Sequence, residues 1–142
     1  MRAIFINAVD RKVEEVQVEN ELDAIYGRIG CETIELIGLG SRFVLIVDEE
    51  GRLRDWKAGF RLAGGEGIAG NGLIVCGKSN GDFTDCALPA GVVAEITEFL
   101  DLEKNPLPPP AFGVAFMTDL SPESIARARR EARRDMERGR QG

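Results

Sequence analysis

Five short runs rich in Ile, Val and Phe, each bounded by turn residues, constrain this chain more than any other feature. They are residues 2–8 (RAIFINA), 12–18 (KVEEVQV), 32–37 (ETIELI), 42–48 (RFVLIVD) and 72–77 (GLIVCG). β-branched and aromatic side chains fit a pleated, half-buried surface, and runs of this length between turn signals are strands. The first two are separated by Val9-Asp10-Arg11, a short polar break suited to a hairpin. The next two flank the turn-rich Gly38-Leu39-Gly40-Ser41, and the second of them closes on Asp48-Glu49-Glu50-Gly51, read as a solvated turn. A chain built this way must form a sheet and cover it.

Helical signals supply the cover. Asn20 is placed to cap a helix with Asp23 three residues on, and Leu22, Ile25, Tyr26 and Ile29 fall at i, i+3, i+4 and i+7 before Gly30 stops the pattern. Pro89 suits the first turn of a second helix, whose Val92, Val93, Ile96, Phe99 and Leu100 would make one apolar stripe. Residues 52–71 are glycine-rich without clean periodicity and read as a loop or an irregular strand, with GLIVCG as the last strand. The expected fold is α+β: a curved, mainly antiparallel sheet with one or two helices on one face, plus a C-terminal helical tail. In domain terms, residues 1–104 form the α+β domain. Residues 105–120 are a Pro-rich linker with an apolar segment (AFGVAFM, 111–117) that pairs within the chain or with a neighbour. Residues 121–142 form an Arg-rich helix started by Ser121-Pro122.

A length of 142 residues fits one core. The net charge of −6 divides unevenly, because residues 121–142 hold seven Arg against four carboxylates. An acidic body repels nucleic acid and anionic membrane, so neither is an expected partner. Three cysteines without C-x-x-C spacing, the absence of any apolar run of membrane-spanning length and an N-terminus unlike a signal peptide point to a soluble cytosolic protein.

Gly65-Glu66-Gly67-Ile68-Ala69-Gly70 has the G-x-G-x-x-G spelling of a dinucleotide loop. That loop needs a helix N-terminus after it to hold the pyrophosphate, whereas the following residues read as strand, so the segment is expected to be a turn entering a strand and no cofactor is expected. The chain has no histidine, which leaves a nucleophile without its usual base and a metal without imidazole ligands. No catalytic or metal-binding residue is assigned. The strongest binding candidate is Arg52 to Arg61, where cations and aromatics interleave. Arg and Lys pair with phosphates while an aromatic ring offers a stacking face, so Arg54, Trp56, Lys57, Phe60, Arg61 and Asn71 are the candidate ligand-binding residues. The bland alternative is a loop whose Trp56 and Phe60 cover the core end while the cations stay solvated. In the tail, Ile125, Ala128, Ala132 and Met136 form a narrow small-residue stripe amid Arg; it reads as a solvated helix held by Glu123–Arg127 and Glu131–Arg134 pairs, or alternatively as a helix for partner docking or homo-oligomerisation.

In order and character, Ile29 to Glu35 (IGCETIE), Val47 to Gly51 (VDEEG) and Gly70 to Val75 (GNGLIV) give residues 1–77 a resemblance to a family of small bacterial, plasmid and phage proteins catalogued only as a domain of unknown function. The resemblance implies an accessory role on a mobile element, including an anti-defence role that sequesters a nucleotide signal or blocks a host protein. The functional expectation is therefore a non-catalytic, oligomeric binding protein for a small anionic ligand or a host protein. The alternatives are an assembly protein oligomerising through its C-terminal segment, and a carboxylate- and metal-dependent hydrolase.

Overall fold

A computed structural model describes residues 1–107. In chain order the elements are β1 (Arg2–Asn7), β2 (Lys12–Gln17), α1 (Leu22–Ile29), β3 (Ile34–Gly38), β4 (Phe43–Asp48), β5 (Ala58–Leu62), β6 (Ile68–Ala69), β7 (Gly72–Gly77), β8 (Phe83–Thr84), α2 (Ala90–Ile96) and β9 (Thr97–Asp101). The chain is α+β, with every strand pair antiparallel. The main sheet runs β2-β1-β7-β4-β3, with β8 also on β7, and a second sheet runs β6-β5-β9. Because β4 pairs along β7 from Phe43 to Val47, β1 and β8 share the opposite edge of β7.

Side-chain alternation assigns the two faces of the main sheet. Ala3 and Phe5 of β1, Ile46 of β4 and Leu73 and Val75 of β7 pack with Ile25 and Ile29 of α1. Ile4, Ile6, Leu45, Val47 and Ile74 face the other way, onto Phe60 and Leu62 of β5 and Val93 and Ile96 of α2. Strands β1, β4 and β7 are thus buried on both sides, which is why they read as unbroken apolar runs. Burial of this kind contributes roughly 1.5–3 kcal/mol per large aliphatic side chain.

Several expectations are corrected by this arrangement. The two helices lie on opposite faces of the main sheet, not on one. GLIVCG is the central strand of that sheet and not the last. Residues 52–71 contain β5 and β6, so the glycine-rich span holds the middle of a second sheet. Helix α2 stops at Ile96, and Phe99 and Leu100 lie in β9, paired with Phe60 and Gly59. Pro89 precedes α2 as its cap residue. Asn20 does not cap α1: Glu21 holds that position without a side-chain bond, and the Asn20 amide donates to the Phe83 carbonyl. Leu22 is exposed rather than part of the buried stripe. The stop at Gly30 is as expected; it adopts φ 87°, which only glycine takes without strain, and its N–H donates to the Tyr26 carbonyl. The linker beyond Leu107, the AFGVAFM segment and the Arg-rich tail lie outside the described residues. Among those described, no helix is long and apolar enough to cross a membrane.

Candidate functional site

The six residues proposed from sequence do not converge. Phe60 is fully buried in the core between the sheets, so it presents no face to a ligand. Asn71 is buried and serves the backbone: its side-chain oxygen accepts from Ala8 N–H at 2.8 Å and its amide donates to the Ile29 carbonyl at 3.2 Å, tying β1, α1 and the entry to β7 together. Lys57 pairs with Glu103, and Arg61 with Glu98 across β5 and β9. Arg52 lies beside Glu66 and donates to the Gly67 carbonyl. Each cation of the interleaved stretch thus has a carboxylate neighbour.

Trp56 and Arg54 do meet, around Asp48. The Asp48 side chain is almost wholly buried, contrary to a solvated turn. One of its oxygens accepts from Glu50 N–H at 3.0 Å, and the other from Trp56 Nε1 at 2.9 Å and Arg54 at 3.1 Å. The Arg54 guanidinium lies 6.0 Å from the Trp56 ring centre, and the ring itself packs against Gly30 and Gly70. This cluster closes the C-terminal end of α1 onto β7. Nearby Cys31 has its thiol pKa pushed up, first by burial and then by the Asp48 carboxylate, with Arg54 and a backbone bond at Thr33 opposing. The segment GEGIAG runs through β6 into β7 with no helix after it. Among the described residues, no three His, Cys, Asp or Glu side chains gather as a metal ion would require.

A groove that sequence reasoning missed lies between α1 and the β1–β2 hairpin. Its volume is about 580 Å³, and its lining includes Phe5, Asn7, Gln17, Glu19, Gly27 and Arg28, with Asn71 at its floor. The α1-facing side of β1 supplies Phe5 and Asn7, while the helix presents Gly27 and Arg28 opposite them. Arg28 lies over the Phe5 ring at 5.7 Å and makes no ion pair among the described residues. Among the described residues, nothing stands within 4 Å of the position a Cβ would take on Gly27. A second hollow of about 470 Å³ adjoins, sharing Gln17, Val18 and Glu19. The arrangement gathers a guanidinium over an aromatic ring, a glutamine amide and a carboxylate along a cleft open to solvent. The sequence carries only the amphipathic period of α1, which puts Arg28 near the polar face and says nothing of the cleft beneath it.

The family described as Domain of unknown function (DUF3846) matches residues 1–100, and the chain belongs to that family. No curated protein and no solved structure matches the chain.

Proposed function

For a member of a family without a defined function, we propose that the chain is a binding protein that holds a small, anionic, nucleotide-like ligand in the groove between α1 and the β1–β2 hairpin. The observation that carries this reading is Arg28. A guanidinium with no carboxylate partner among the described residues, placed over Phe5, is ready to pair with a phosphate, and charge-assisted bonds of this kind are about twice as strong as neutral ones. Gln17 and Glu19 across the cleft suit the donor and acceptor edge of a heterocycle. The volume lies within the roughly 300–1,000 Å³ common to small-molecule sites. An accessory role on a phage or mobile element, acting on a nucleotide signal, is part of this proposal and rests on the resemblance alone.

The test uses the full chain. Native mass spectrometry after gentle purification reads any retained mass that leaves on denaturation, and calorimetry with nucleoside monophosphates and cyclic dinucleotides reads affinity. Gly27→Leu is the informative variant. Its Cβ meets no described neighbour, its side chain adds bulk on the groove wall, and it removes a helical glycine, which by itself gains on the order of 0.5–1 kcal/mol of stability. The expected result is a more stable protein that no longer binds, with Arg28→Ala also losing binding. Unchanged binding in both variants would sink the reading.

A further inference from the structure

From the open edge of the main sheet, we infer that β3 is a self-association strand that pairs antiparallel with β3 of a second copy across a two-fold axis. The inference is independent of the groove. Glu49 N–H donates to the Thr33 carbonyl and Leu39 N–H to the Phe43 carbonyl, at positions that face each other in the β3–β4 register. Hydrogen-bonded pairs alternate in an antiparallel ladder, so residues 33, 35, 37 and 39 bond to β4. The N–H and C=O groups of Ile34, Leu36 and Gly38 therefore point away from it, and no described group pairs with them.

Those three residues are a self-complementary set. Two copies paired about Leu36 set Leu36 against its own mate and Ile34 against Gly38. Every outward backbone group of the strand then has a partner. Glu35 falls opposite Ile37, so no like charges face each other. Leu36 is 53 % exposed, and Leu36, Ile34 and Gly38 share the α1-facing side of the sheet, where mutual pairing removes the two leucines from water.

The opposite edge of the sheet shows what a strand that resists self-pairing looks like. In β2, Val18 N–H donates to the Met1 carbonyl, which by the same alternation leaves Val13, Glu15 and Gln17 facing outward. The two symmetric registers with greatest overlap put either Glu14 or Glu15 directly opposite its own copy, and like charges so placed are destabilising. One edge of the sheet is guarded by charge; the other, β3, has a matched register and an exposed leucine.

Light scattering and native mass spectrometry on the full chain should report twice the mass of one chain. Leu36→Lys should return a single-chain mass with an unchanged far-UV circular dichroism spectrum. Register is read separately by cysteine scanning under diamide, against the parent chain as background. In a hydrogen-bonded antiparallel pair the Cα atoms lie about 5.5 Å apart, inside the disulfide range of about 4.4–6.8 Å. Leu36→Cys should therefore cross-link two chains, while Glu35→Cys, facing Ile37, should not. A parent chain that stays single at its highest soluble concentration overturns the inference. So does an assembly that survives Leu36→Lys, or cross-linking as efficient at position 35 as at 36.

Discussion

The indole N–H of Trp56 donates to the buried carboxylate of Asp48 at 2.9 Å, and this bond ties the loop before β5 to the end of β4. The same ring packs on Gly30 at the end of α1 and Gly70 at the entry to β7.

Trp56→Phe keeps most of the packing and deletes the donor. Asp48 then retains Arg54 and Glu50 N–H but loses one bond to a buried charge, which costs roughly 1–3 kcal/mol. Urea unfolding followed by circular dichroism should show a lower midpoint at unchanged slope. A midpoint equal to the parent's would mean that the bond adds nothing.

Gly70 has φ 91°, and a Cβ there would come within 2.7 Å of Trp56 Cε2. Gly70→Ala therefore meets backbone strain of about 1–3 kcal/mol and displaces the ring as well. Trp56 is the single tryptophan of the chain, so its emission reports that displacement directly. The expected outcome is lost stability with a red-shifted spectrum; an unmoved spectrum would show that the backbone, not the ring, yields.

Burial raises the pKa of both Cys31 and Cys86, in the latter case with Cys76 beside it adding to the rise. A free thiol titrates near 8.5. Below that pH both the folded and unfolded chains keep their protons, and the full stability is present. As pH rises through it, the unfolded chain releases its protons first and stability falls. Unfolding midpoints measured between neutral and alkaline pH should decline, and Cys86→Ala should flatten that decline while lowering stability at neutral pH. Thiol labelling of the native protein should modify Cys76, which is partly exposed, well ahead of the other two.

Arg61 and Glu98 sit opposite each other on β5 and β9 at 3.3 Å, with side chains 37 % and 63 % exposed. Solvent screens such a pair, and its contribution is about 0.2–1 kcal/mol. Arg61→Ala should shift stability by no more than this, the difference should shrink in high salt, and ligand retention in the groove should not change. Loss of binding in this variant would return attention to the β5 loop.

The strands that bury both faces were legible because they have no polar alternation to obscure them: RAIFINA, RFVLIVD and GLIVCG all appear within a residue or two of their observed limits. The α1 pattern was legible from Ile25 and Ile29. β9 was not, because Val92, Val93, Ile96, Phe99 and Leu100 fit a helical stripe, and what ends the helix at Ile96 is pairing with β5, a partner more than thirty residues away. β5 was hidden for the complementary reason. Its Phe60 and Leu62 are ordinary strand residues, but Gly59 and the surrounding glycines give a local signal of irregularity that distant pairing overrides. The candidate site suffered from the same locality. Charge and aromatic residues adjacent in sequence suggested a cluster at residues 52–61, whereas the fold spends those cations on Asp48, Glu66, Glu98 and Glu103. The groove brings together residues as far apart as Phe5 and Arg28, a juxtaposition that no window of sequence displays.

The position of β1 inside the sheet carries a consequence for how the chain comes off the ribosome. Its inner partner is β7, through Ile4 with Ile74 and Phe5 with Leu73. The β1–β2 hairpin therefore waits with one apolar edge unpaired until β7 has been translated. Long-range closure of this sort slows folding and leaves strands open to wrong partners. Until then the nascent β1–β2 hairpin is a segment for a chaperone to cover, and premature release before Gly77 would yield a chain that cannot close its own centre.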